Sequence, residues 1–181
     1  LDVGAGPCRD IVNIYNSLHA QGAFIAVDYD LQRAFDAVDA NPDLIDVCHH
    51  NDQIKHITDN LKIAYIVNDV MKLDLPEDMK ADFILSLALA MFIAKEDLEK
   101  YAKTLVTNAR SGAHIFHLHS IDRPSPKDQN RPQYPKGYHH HSVGELRTVF
   151  ETQGCTVEEL PAIEDKAGRG FDWYRLDIAV P

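Results

Sequence analysis

Short apolar runs alternate with stretches of helical period along most of the chain, and this alternation limits the fold more than any other feature. Leu1-Asp2-Val3, Ala23 to Asp28, Ile63 to Val67, Asp82 to Leu87 and Ala113 to Leu118 read as strands. Arg9 to Ala20, Leu31 to Val38 and Glu96 to Arg110 read as helices between them. In the last of these, Leu98, Tyr101, Ala102 and Leu105 share one helical face. Strands separated by helices imply a mostly parallel sheet covered on both sides. Near the C-terminus the alternation breaks. A helix from Ser142 to Gln153, with Ser142 and Glu145 at capping-box spacing, precedes two strands, Cys155 to Leu160 and Phe171 to Val180. The predicted fold is α/β: one domain over residues 1–181, with a doubly wound, mostly parallel seven-stranded sheet, an antiparallel strand near the C-terminus and helices on both faces.

The first strand runs into Gly4-Ala5-Gly6. Glycine after a strand lets the backbone turn sharply and approach a ligand, and the next helix offers free N–H groups. Such a pair also serves a plain turn. Its meaning grows with Asp28, which ends the second strand and has the reach to accept both hydroxyl hydrogens of a ribose. A dinucleotide fingerprint would place a third glycine where Arg9 stands, and Asp2 would repel a pyrophosphate. A cationic ligand without phosphate, such as S-adenosylmethionine, suits an acid-rich site better. Asp2, Asp28 and Asp69 all fall at predicted strand ends, the edge where open α/β sheets bind ligands.

With these residues in place, the chain resembles the class I (Rossmann-like) S-adenosylmethionine-dependent methyltransferases. "DVGAGPC" is similar to the first motif, "AVDYD" to the second and "NDVMKLDL" to the third. "ADFILSLALAMFI", "LVTNARSGAHIFHL" and "HHHSVGELRTVFETQGCTVEEL" resemble the later strands and helices in the expected order. The resemblance implies a transferase that binds S-adenosyl-L-methionine and releases S-adenosyl-L-homocysteine. It implies cofactor contacts from Asp2, Gly4, Ala5, Gly6 and Asp28, with Tyr29 against the adenine. Asp69 would bond the adenine amino group, Val70 flank its ring, and Ser86 lie near the methionine moiety. Leu87, Met91 and Phe92 would face the acceptor. A helical segment usually precedes the first strand in this family, and its absence here implies a chain that is a piece of a larger one or part of a complex.

Lys and Arg number 18 against 28 Asp and Glu, a formal charge of −10, which argues against broad contact with a nucleic-acid backbone. No apolar run approaches the ~20 residues of a membrane span. Cys8, Cys48 and Cys155 are an odd number without a CxxC pair, which reads as reduced thiols and a cytoplasmic setting. His117 and His119 share a strand face, and His139 to His141 follow a long polar segment, Ile121 to Tyr138, that reads either as a mobile lid or substrate loop or as a plain solvated excursion. No metal site is expected from them, because neither a Cys pair nor a His-x-x-x-His helix supports one. His119, at the end of its strand, is the candidate catalytic base.

The expected reaction is in-line transfer of a methyl group to a nucleophilic O or N of a small molecule. A second reading takes the acceptor to be guanine N7 of a capped RNA end, because Gly4-Ala5-Gly6-Pro7-Cys8-Arg9-Asp10-Ile11 resembles the G-x-G-x-x-x-D-L of the mRNA cap methyltransferases. A third takes the chain to be a catalytically silent module that stabilises a larger enzyme.

Overall fold

The computed structural model describes residues 1–18, 22–122, 139, 141–163 and 171–181. In chain order the elements are β1 (Asp2–Val3), α1 (Arg9–Ser17), β2 (Phe24–Asp28), α2 (Leu31–Ala40), β3 (Ile45–Cys48), α3 (Asn51–Asp59) and β4 (Ile63–Val67). They continue with β5 (Ala81–Leu87), α4 (Leu98–Thr107), β6 (Ala109–Asp122), α5 (Val143–Thr152), β7 (Thr156–Ile163) and β8 (Phe171–Ala179). The strands form one sheet in the order β3-β4-β2-β1-β5-β6-β8-β7. Strands β1 to β6 pair in parallel, while β8 runs antiparallel to both β6 and β7. This is the predicted class, with helices on both faces. One apolar cluster joins Ile54 of α3, Tyr101 and Leu105 of α4 and Phe150 of α5. The other joins Ile11 of α1 and Ala34 and Ala37 of α2.

The sheet has eight strands rather than the predicted seven. The additional strand is β3, four residues at the edge, followed by the unpredicted helix α3. As an edge strand β3 carries Asp46, which meets Lys62 at 3.0 Å, so its apolar run is interrupted. Helix α3 hides its pattern among polar residues and buries Ile54 and Ile57. Gln53 reaches back to the N–H groups of His49 and His50 at 2.9 and 3.1 Å and fixes the start of α3. The predicted capping box of α5 is present: Ser142 Oγ accepts from Glu145 N at 3.1 Å and Glu145 Oε2 from Ser142 N at 2.9 Å.

Helix α4 ends at Thr107, three residues before the predicted stop, and Ser111-Gly112 lies inside β6. The cause is Asn108, which is almost fully buried. Its amide nitrogen donates to Leu73 O at 2.9 Å and Thr104 O at 2.8 Å, and its oxygen accepts from Leu75 N at 2.7 Å. One side chain thus closes the helix and fixes the strand-like crossing before β5. The segment 123–138, most of the predicted substrate loop, lies outside the described residues. Among the described residues no helix is long and apolar enough to cross a membrane.

Replacing Asn108 by Ala would leave the Leu75 N–H and the Leu73 carbonyl buried without their partners. Asn108→Ala is expected to destabilise the fold by about 2–4 kcal/mol, read as a lower urea midpoint at unchanged slope.

Candidate functional site

The chain progresses outward from β1 through β2 to β3 and β4, then returns to place β5 on the other side of β1. This reversal opens a crevice beyond the C-terminal ends of β2, β1 and β5, the place where open α/β sheets bind ligands. A pocket of about 490 Å³ lies there. It is lined by Gly4 after β1, Asp28 and Tyr29 after β2, Asp69 and Val70 after β4, and Leu87 to Leu89 after β5. Arg33, Phe92, Ile93, Asp97 and His139 complete much of the remainder.

The floor is built by the glycine turn. Gly4 and Gly6 sit at φ 71° and 51°, and the N–H groups of Gly4 and Ala5 both donate to Val27 O, at 2.8 and 3.1 Å. Asp28 completes the turn, its Oδ2 accepting from Gly6 N at 2.9 Å and its Oδ1 from Asp30 N at 3.0 Å. Tyr65, fully buried in β4, donates its hydroxyl to Gly6 O at 2.8 Å. A Cβ at Gly4 would stand 3.0 Å from Leu89 Cδ1. The turn is therefore packed against the far wall of the pocket.

Sequence-predicted residues divide into two groups. Gly4, Asp28, Tyr29, Asp69, Val70, Leu87 and Phe92 line the pocket together. Tyr29 and Phe92 are well exposed, at 74% and 51%, and Asp69 Oδ1 accepts from Met71 N at 2.9 Å. Asp2, Ala5, Gly6, Ser86, Met91 and His119 are not among the lining residues. Strand alternation explains Ser86: Leu87 lines the pocket, so its neighbour turns to the other face. There the Ser86 hydroxyl is hydrogen-bonded to Tyr101 OH and to His117 Nδ1, the latter at 3.2 Å. Asp2 is buried in β1, and burial, against the pull of the Leu1 amino group, lifts its carboxyl to about 7. Cys8 is buried with φ 61°, and burial pushes its thiol up to about 12, so it is no nucleophile.

The histidines form a file that spacing alone did not order. The ring of His117 lies 6.1 Å from that of His119, His119 lies 5.9 Å from His141, and His141 lies 6.3 Å from His139. His117, His119 and His141 are buried, and only His139 reaches the pocket. Burial, with the charges of His119 and His141 adding to it, holds His117 down at about 3, so it is neutral. Among the described residues no group of three or more His, Cys, Asp or Glu is disposed to hold a metal ion. Arg33 and His139 are pocket residues that the sequence reading did not place there. The period-two spacing of His117 and His119 was a visible signal, whereas the return of residue 139 to the pocket depends on tertiary contacts.

No protein-family model matches the sequence, and a comparison with curated protein sequences gives no match. Solved structures do resemble the fold. Magnesium protoporphyrin IX methyltransferase from Synechocystis, with bound S-adenosylmethionine, is similar over 99% of this chain and 68% of its own, at 13% identity and a TM-score of 0.66. A SAM-dependent methyltransferase from Methanosarcina mazei is similar over 99% and 91%, at 11% identity and a TM-score of 0.69. The [4+2]-cyclase SpnF is similar over 99% and 73%, at 11% identity and a TM-score of 0.70. The chain has the class I S-adenosylmethionine-dependent methyltransferase fold.

Two variants probe the site without any ligand. Gly4→Ala forces a Cβ against Leu89 at a left-handed φ and is expected to cost about 1–2 kcal/mol in thermal or denaturant unfolding. For Asp2, whose folded value of about 7 exceeds the ordinary 3.8, the folded protein holds a proton that the unfolded chain has released between those values. Stability contributed by Asp2 therefore falls as pH rises through this window. Asp2→Asn is expected to be more stable than the parent by on the order of 2 kcal/mol at pH 8 and equal to it near pH 4, by denaturant midpoints at both values.

Proposed function

We propose that the protein is an S-adenosylmethionine-dependent methyltransferase acting on a small-molecule acceptor. The observation that supports it most is the convergence, in one pocket, of Gly4, Asp28, Tyr29, Asp69, Val70 and Leu87 from the ends of four strands. The fold is shared with a [4+2]-cyclase, so the reading rests on these residues rather than on topology.

The residues fit the cofactor. Each oxygen of Asp28 accepts one backbone N–H and retains a lone pair, which suits the two hydroxyls of a ribose. Asp69 lines the pocket and uses Oδ1 for its own cap, so Oδ2, only loosely paired with Lys72 at 3.7 Å, would accept from an adenine amino group. Val70 would flank the base, and the exposed ring of Tyr29 would cover its other face. Gly4 admits the ligand close to the backbone, where a Cβ would fill the space up to Leu89. Asp2, expected to favour a cationic ligand, is buried outside the pocket lining with its carboxyl lifted to about 7, so the fit rests on Asp28 and Asp69. When bound, S-adenosylmethionine supplies a methyl group already activated by its sulfonium. The chain then has to orient an acceptor in line and keep water out, for which Leu87, Leu89, Phe92 and Ile93 provide an apolar wall.

A small acceptor is favoured over a capped RNA end by charge. Arg33 is the single cation among the described lining residues, and it faces Asp30 at 3.6 Å. A triphosphate-linked cap would need more.

Calorimetric titration with S-adenosylhomocysteine tests the reading. Binding to the parent is expected, with Asp69→Ala weaker by about 1–2 kcal/mol and Asp28→Ala by about 1–3 kcal/mol. A folded parent protein that binds neither S-adenosylmethionine nor S-adenosylhomocysteine would refute the assignment.

A further inference from the structure

One pocket residue has no task in cofactor binding, and its placement is more constrained than a surface histidine requires. His139 donates its backbone N–H to Met91 O at 2.7 Å, which ties it to the turn that walls the pocket after β5. Its ring lies almost parallel to that of His141, at 14° and 6.3 Å. His141 is itself buried and donates Nε2–H to Ile93 O at 2.8 Å, leaving its Nδ1 buried without a hydrogen-bond partner. A buried imidazole nitrogen left unmatched carries a cost that a Leu or Phe would avoid. The backbone bond to Met91 and the ring contact with His141 place His139 in the pocket lining together with Leu87, Leu89, Phe92 and Ile93.

We propose that His139 is the catalytic base for an apolar acceptor that presents an aryl hydroxyl, an inference that rests on the methyltransferase reading. The wall around it is hydrocarbon and aromatic, which selects an apolar body. Histidine is the side chain best matched to proton transfer near neutrality. A phenolic proton is within its reach, whereas that of an aliphatic alcohol is far too weakly acidic. A carboxylate acceptor would need no base. An ammonium would be drawn to Asp97, which is exposed at the rim, away from the need for a histidine. In the step, the acceptor oxygen gives its proton to a ring nitrogen of His139 and its electron pair to the methyl carbon. The carbon–sulfur bond breaks with its pair left on sulfur. An aryl methyl ether, a neutral thioether and an imidazolium result, and the imidazolium returns its proton to water. His141 is a positioning residue, since it holds the ring and touches no acceptor.

The test uses His139→Gln in the full chain, with two readouts. In the complex with S-adenosylhomocysteine, the absorbance of 4-nitrophenol is titrated with acid. The parent is expected to ionise the bound phenol at a pH lower by about one unit or more than the variant does. With S-adenosylmethionine, kcat/KM on phenol and catechol is expected to fall ~100-fold or more in the variant, while 4-nitrophenol, already ionised at about pH 8.5, changes less than about threefold. Equal losses on all three phenols, or superimposable absorbance titrations, would overturn the base. Transfer to amines alone, or to no aryl hydroxyl by a parent that binds S-adenosylhomocysteine, would overturn the acceptor class. Failure of the folded parent to bind S-adenosylhomocysteine would instead remove the reading beneath both.

Discussion

The carboxylate of Asp28 is the interaction on which the rest of the site depends. It sits at the end of β2, nearly buried, and accepts hydrogen bonds from Gly6 before α1 and from Asp30 before α2. Two helices are thereby entered from one side chain. Asp30 in turn caps α2 by accepting from Gln32 N at 2.9 Å. The Tyr65 hydroxyl on Gly6 O adds β4 to the same knot. Buried polar groups of this kind are stable only when every member is matched, so the turn, the two helix starts and β4 form or fail together. The pocket floor is the exposed side of this network.

Across the sheet, a second polar group performs the corresponding task. Asn108 ends α4 and fixes the crossing that leads into β5. Asp28 organises the turn after β1 and the starts of two helices, and Asn108 the crossing that leads into β5. Between them the apolar clusters on the two faces fill the space without setting its shape.

Much of this was legible in the sequence, for identifiable reasons. The runs that became β2 and β4 are central strands, buried on both faces, and therefore read as continuous apolar segments, while β5 is buried only from Ile84 on. The capping box of α5 is a local signal and was read correctly. The edge strand β3 and the polar helix α3 were missed because each has one exposed side and neither keeps a clean period. The end of α4 was misplaced because Asn108 acts through partners more than thirty residues away. In the site, Gly4, Tyr29, Asp69, Val70 and Phe92, which follow strands, line the pocket, whereas Ala5, Gly6 and Met91, which also follow strands, do not. Ser86 and His119 lie on the strands themselves, and their facing depends on a one-residue phase that no motif fixes. The file of rings that ends at His139 joins β6 to the residues just before α5, a tertiary fact without a local signature.

β1 is two residues long, yet it lies at the centre of the sheet, with Val3 paired to Val27 on one side and to Ser86 on the other. So short a strand has almost no intrinsic preference for extended structure and cannot wait as a preformed template. Its order is lent by its neighbours, and one of them is separated from it by most of the first half of the chain. The central place of β1 thus rests on two parallel pairings, one with β2 and one with the distant β5. Parallel pairing between segments so far apart in sequence is the slow kind to close, and the crevice is bordered by it.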